Sequence, residues 1–206
     1  MGLGKRFPKG VMRLSNKKRD PLQDDQLAMG DHGVAGSGKI FVGPIWSLAK
    51  AGEIGASRAI TLINGPMMAE LVTPPHLAEG GHLRLIMNDI DRPAEGLVAP
   101  EAEHIHRLLA FLKGWDQESP LLIHCHAGIS RSPAAALIAL CLLRPDEDEA
   151  ALAERVRAAS AAAKPNRLLI RLADEILGRE GRMIAACAAL TVPPPSREGP
   201  FCSIPL

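Results

Sequence analysis

The chain has 206 residues, with 24 Lys and Arg against 23 Asp and Glu and a formal net charge of +1. That length suits a single α/β domain around one core, and the near balance of charge gives no reason to expect a partner nucleic acid or membrane surface. The longest apolar run, Pro133 to Leu143, is too short to cross a bilayer and is closed by Arg131 and Arg144, so a soluble protein is expected.

Lys5, Arg6, Lys9, Arg13, Lys17, Lys18 and Arg19 all precede the first acid, Asp20, in a stretch without helical or strand periodicity. Residues 1–38 therefore read as a flexible basic arm. Arg6 stands where N-myristoylation needs Ser or Thr, and the basic run has no adjoining apolar stretch of the kind a signal peptide contains. Gly33 to Lys39 imitates a nucleotide-binding loop, but Ile40 occupies the Ser/Thr position and the segment precedes a strand instead of following one. Cys125, Cys141, Cys187 and Cys202 show no paired spacing, which fits reduced thiols in a cytoplasmic protein.

The domain is expected over residues 39–190. Ile40-Phe41-Val42 is a short strand ended by Gly43-Pro44, Ala59 to Ile63 is a second, and His82 to Met87 a third, with an irregular Pro/Gly segment between the last two. Pro100 and Glu101 open a helix in which Ile105, Leu108, Leu109 and Leu112 share one face, and Gly114 stops it. Leu121-Leu122-Ile123 reads as a central strand covered on both faces, followed by a turn and a helix, Ser132 to Leu143, so apolar all round that it must be buried. Another helix begins after Pro145 with four acids in its first turn, favourable at that end of the macrodipole. The next starts near Asn166 with Leu169, Leu172, Ala173 and Ile176 on one face, a short one follows Gly181, and residues 191–206 read as an irregular tail. The fold class is α/β: a central, mostly parallel sheet flanked by helices.

Pro120 to Pro133 reads PLLIHCHAGISRSP. Cys125 ends a buried strand, a tight loop with Ala127 and Gly128 follows, and Arg131 leads into a helix. Amides of His126, Ala127, Gly128, Ile129, Ser130 and Arg131 can converge on one point, at which the positive end of the following helix also aims. Such a nest binds phosphate and favours a thiolate, since helix N-termini and cations lower a cysteine pKa from about 8.5. Cys125 is then the nucleophile and Arg131 a planar fork for two phosphoryl oxygens. Cys141, on its apolar helix, reads as a packing residue. His124, Cys125 and His126 suggest no metal, because adjacent strand residues face opposite sides. His104 and His106, two apart on a helix, cannot share a face and read as surface residues.

The loop resembles that of the cysteine-based protein tyrosine phosphatases, His-Cys, five residues, Arg-Ser/Thr, with His124-Cys125, Gly128, Arg131 and Ser132 all matching. Ile40 to Gly43, Ala59 to Ile63 and Lys164-Pro165-Asn166 extend the likeness to the dual-specificity branch, over roughly Ile40 to Leu177. The resemblance implies hydrolysis of phosphate monoesters, phosphotyrosine and also phosphoserine/threonine in proteins, through a phosphocysteine and without metal or cofactor. It implies a donor aspartate after a strand: Asp89 fits, with Asp91 as its rival. Ser132 would steady the departing thiolate, and His124 would orient the loop. Partners would be a phosphorylated protein or a small phosphate ester. The loop lacks the lysine found in relatives acting on phosphoinositides, and the chain has no tyrosine to clamp phosphotyrosine at the pocket rim. Sulfur transfer, arsenate reduction and a non-catalytic phosphate-binding module are the competing readings of the same loop.

Overall fold

The computed structural model describes Met1, residues 38–77 and residues 79–206, and the basic run from Lys5 to Arg19 lies outside them. Five strands, β1 (Lys39–Gly43), β2 (Arg58–Ile63), β3 (His82–Ile86), β4 (Leu121–Cys125) and β5 (Cys202–Pro205), form a sheet in the order β3-β2-β4-β1-β5. The first four run parallel, and β5 joins β1 antiparallel. The helices are α1 (Gly65–Glu70), α2 (Ala102–Lys113), α3 (Arg131–Leu143), α4 (Glu149–Ala159), α5 (Arg167–Ile176) and α6 (Arg182–Ala189).

Side-chain alternation along each strand divides the interior into two layers. Ile40 and Val42, Ile60 and Leu62, and Leu121, Ile123 and Cys125 enter the large cluster with α2 to α6. Phe41, Ala59 and Leu122 face the smaller cluster, with Leu48, Ala51, Ala56 and Leu77. All five residues of β4 are buried, so the strand that delivers Cys125 is fixed from both faces. In α3 every residue from Arg131 to Cys141 is buried, as its lack of a polar face requires. The interior is close-packed, so the strand end, the loop and the helix start cannot shift independently.

Three sequence expectations change. The tail is not irregular throughout: residues 202–205 form β5, in register Ile40 to Ile204 and Val42 to Cys202. Only Ile204 of its four residues is buried, so the strand leaves no apolar run in the sequence. The Pro/Gly segment between β2 and β3 holds α1, whose first turn is capped by Asn64 accepting from the Met67 amide, and a 3-10 turn at Pro75–Leu77. Of the four acids after Pro145 only Glu149 lies inside α4. Asp148 caps that helix by accepting from the Ala151 amide, and Glu149 turns inward to Arg179 at 3.0 Å and Arg182 at 3.1 Å. No helix among the described residues is long and apolar enough to cross a membrane.

Candidate active site

Each peptide unit points its carbonyl and its amide in opposite directions, so an outward carbonyl means an inward N–H on the following residue. The loop between β4 and α3 is built on that rule. The carbonyl of His126 accepts from the Ile45 amide at 3.0 Å, that of Ala127 from Gly199 at 2.8 Å, that of Ile129 from Lys164 at 2.7 Å, and that of Ser130 from Asn166 at 3.2 Å. Four carbonyls are thus held from outside by three separate chain segments. The amides of Ala127, Gly128, Ser130 and Arg131 are left facing the concave side.

One of these inward amides already has its acceptor: Gly128 N–H donates to Cys125 Sγ at 3.2 Å. The turn depends on Gly128, whose φ is +70° and whose absent Cβ would lie 2.7 Å from the Pro44 nitrogen. Ser132 Oγ also lies 3.2 Å from the sulfur. Its single proton serves the sulfur there, the Gly43 carbonyl being more distant at 3.5 Å. Cys125 is 1% exposed, so the sulfur sits at the floor of the loop and a reacting group must enter through the ring of amides.

The helix behind the loop is left open for an anion. Asn64, Asp148 and Asn166 cap α1, α4 and α5 with their side chains, and Glu101 and His104 form a capping box at α2. α3 has no side-chain cap, because the hydroxyl of its N-cap residue, Ser130, donates to Asp89 Oδ1 at 2.7 Å. The first amides of α3 therefore keep their capacity for an anion. Arg131 donates to the Met87 carbonyl at 2.8 Å, and its buried Nε has no hydrogen-bond partner, although Asp89 Oδ2 lies 3.9 Å away. A buried guanidinium N–H without a partner costs free energy unless an anion completes it.

Asp89 is joined to the loop by three groups: Ser130, Arg131 and Asn166, whose Nδ2 donates to Oδ1 at 2.9 Å. Asp91 lies exposed beside it. A cavity of about 510 Å³ opens here, lined by Asp89, Ile90, Asp91, Arg92, Ala94, Ser130, Lys164, Pro165, Asn166 and Arg167. On the other side of β4, His124 is fully buried and its Nε2 lies 2.6 Å from Thr61 Oγ1. The hydroxyl of Thr61 is also 2.7 Å from His82 Nε2, and His82 Nδ1 is 2.8 Å from Thr73 Oγ1. Burial pushes both imidazoles down to about 4, so they are neutral near pH 7. Cys125 and His124 thus serve opposite faces of the strand.

No family model matches the sequence, and the comparison with curated proteins finds no match. Solved structures do match. The human tyrosine phosphatase-like serine/threonine/tyrosine-interacting protein is 21% identical, with a TM-score of 0.51 over 68% of this chain and 92% of that one. The Cydia pomonella PTP-2 phosphatase is 23% identical, with a TM-score of 0.50 over 66% and 84%. Human DUSP28 is 20% identical, with a TM-score of 0.50 over 68% and 89%.

The fold is that of the dual-specificity phosphatases.

In this phosphatase fold the structure brings together Cys125, Arg131, Ser132 and Asp89 and, of the six loop amides that the sequence singles out, those of Ala127, Gly128, Ser130 and Arg131, while the amides of His126 and Ile129 are not turned inward by any such outward bond. Asn166 exceeds its expected part as a helix start. Its Oδ1 accepts from the Leu168 and Leu169 amides at 3.1 and 3.0 Å, while its Nδ2 grips Asp89 and the Ile90 carbonyl. A Pro-Asn pair signals a cap, which is as much as local sequence can say. Thr61 and Gly199 were not singled out at all. A threonine inside an apolar strand, fully buried here, is the one sequence signal that points to a polar partner.

Proposed function

We propose that this protein is a phosphatase that hydrolyses phosphate monoesters, phosphotyrosine and also phosphoserine/threonine in proteins, through a phosphocysteine intermediate. The observation that supports it most is the set of four loop carbonyls bonded outward, which turns the following amides toward the concave side of the loop that holds Cys125, with Arg131 and its unpartnered Nε at the start of the next helix. A phosphoryl group there meets donors on its equatorial oxygens, with the sulfur in line behind the phosphorus.

In the first step the sulfur of Cys125 forms a bond to phosphorus as the bond to the ester oxygen breaks, and Asp89 passes its proton to the leaving oxygen. In the second, Asp89 takes a proton from water, the water oxygen bonds to phosphorus, and the S–P bond breaks. Inorganic phosphate and the thiolate are the products. Gly128 N–H and Ser132 Oγ, each 3.2 Å from the sulfur, stabilise the departing thiolate. Asp89 suits the acid/base role better than Asp91 because it alone of the two is fastened to the loop by Ser130 and Asn166. That fastening, and a hydroxyl donor placed on the sulfur, favour ester hydrolysis over sulfur transfer or arsenate reduction.

Arg92, Lys164 and Arg167 outnumber Asp89 and Asp91 in the cavity beside Ser130, so a phosphorylated residue with acidic neighbours is favoured over one with neutral neighbours. The test is hydrolysis of an aryl phosphate and a phosphotyrosine peptide without added metal. Wild type should turn over both, and Cys125→Ser neither. Full activity in Cys125→Ser, or a strict metal requirement, would overturn the reading, and tight phosphate binding without turnover would replace it with that of a binding module.

A further inference from the structure

The segment after α6 lies beyond the Ile40–Leu177 region that resembles the phosphatases, yet it touches the phosphate-binding loop directly. Gly199 is buried and its amide donates to the Ala127 carbonyl at 2.8 Å. The peptide unit that accepts this bond is the one whose other end, the Gly128 N–H, donates to Cys125 Sγ at 3.2 Å. Because a trans peptide is planar, pulling its carbonyl toward Gly199 aims its amide at the sulfur. The other outward bonds of the loop act on different peptides.

The approach is close enough to admit only glycine. A Cβ at Gly199 would sit 2.5 Å from the Gly128 carbonyl oxygen and 3.1 Å from its carbon, both backbone atoms with no rotamer to yield. The segment is anchored on both sides of this contact. Before it, Trp46 Nε1 donates to Glu198 Oε1 at 2.9 Å. After it, Phe201 stacks on Phe41 with centroids 5.5 Å apart and lies 6.2 Å from the Trp46 ring, and β5 then pairs with β1. Strand pairing and aromatic packing thus set the height of one amide beneath the loop.

We propose that residues 198–201, tied down beyond that point by β5, form a strap belonging to the active site, in which Gly199 is a positioning residue that orients the Ala127–Gly128 peptide toward the Cys125 sulfur. The proposal rests on the phosphatase reading for its consequence in turnover, but oxyanion binding and thiol alkylation read it without turnover.

The experiment compares full-length wild type, Gly199→Ala, Phe201→Ala and Ser203→Ala, the last being an exposed β5 residue away from the loop. For each we would measure kcat and KM on an aryl phosphate, tungstate affinity by calorimetry, the pH midpoint of Cys125 alkylation by iodoacetamide, and the melting temperature. Gly199→Ala should lower kcat at least about tenfold, weaken tungstate binding and move the alkylation midpoint upward, since one oxyanion-type donor is misaimed. Phe201→Ala should shift the same three readouts in the same direction by a smaller factor, and Ser203→Ala should leave them at wild-type values. The strap is overturned if Gly199→Ala and Phe201→Ala keep wild-type tungstate affinity and alkylation midpoint, whatever happens to the melting temperature. If Gly199→Ala does not fold, Phe201→Ala decides by the same criteria. An inactive wild type in which the variants still alter tungstate binding and alkylation would sink the phosphatase reading and leave the strap standing.

Discussion

Cys125 and Cys141 belong to opposite ends of one structural unit, the first just before α3 and the second near its far end. Both are buried, 1% and 0% exposed. Burial among apolar side chains pushes the Cys141 thiol up to about 12, the Arg179 charge opposing this only in part. Around Cys125 the same depth is combined with an amide, a hydroxyl and the uncapped first turn of α3. Depth alone therefore favours the neutral thiol, and donors aimed at the sulfur are what a buried thiolate requires.

The sharpest way to break this comparison is to exchange the two roles by mutation. Cys125→Ser should abolish aryl phosphate turnover, by at least about 10⁴-fold, as removal of a nucleophile does elsewhere. Cys141→Ala should keep wild-type kcat and lose only about 1 kcal/mol of stability in urea denaturation. Loss of turnover in both would mean that the position of a thiol on this helix, and not its donors, decides its chemistry.

The next largest effect concerns the two aspartates after β3. Asp89→Asn should lower kcat about 10²- to 10³-fold for an alkyl phosphate, less for an aryl phosphate with a good leaving group, and flatten the basic limb of the pH–rate profile. Asp91→Asn should stay within about threefold of wild type, having no comparable tie to the loop. An inverted ranking would reassign the donor.

Much of this was legible because it is local. PLLIHCHAGISRSP names a strand, a turn and a helix in consecutive residues, and the all-apolar run after Arg131 dictates burial without reference to the rest of the chain. The donor aspartate is implied by the resemblance, the end of a strand pattern puts Asp89 ahead of Asp91, and the structure adds contacts of Asp89 with Ser130, Arg131 and Asn166. What stayed hidden is pairing at a distance. The amides of Ile45, Lys164 and Gly199 that hold the loop carbonyls are backbone atoms, identical in every non-proline residue, and so leave no trace in side-chain identity. β5 hid for a related reason, since an edge strand with one buried residue lacks the period that marks strands.

A smaller effect separates the two partners of the sulfur. Ser132→Ala removes the hydroxyl but leaves the Gly128 amide, so about 10- to 10²-fold should be lost from the step in which thiolate departs. Rapid mixing with an aryl phosphate would then show a burst of phenol followed by slow turnover as phosphocysteine accumulates. Equal slowing of the burst and the steady state would place Ser132 in the first step instead.

The smallest effect tests the other face of β4, where polarity is buried without an anion to serve. Thr61 has one hydroxyl proton for two imidazoles, so it donates to one Nε2 and accepts from the other, and the ring whose Nε2 accepts must stay neutral. With folded values near 4 against an ordinary 6.5, the unfolded chain binds protons that the native state refuses. The native state therefore has its full stability above pH 6.5 and loses it as pH falls toward 4, by up to ~1.4 kcal/mol per pH unit for a fully neutral histidine. His124, wholly buried, supplies most of this, and half-buried His82 less because solvent screens it. Urea midpoints taken between pH 7.5 and pH 4.5 should fall more steeply for wild type than for a His82→Gln, His124→Gln double variant, since carboxylates contribute equally to both. Parallel slopes would mean that the histidines accept protons in the folded protein, and that the Thr61 bridge opens to let them.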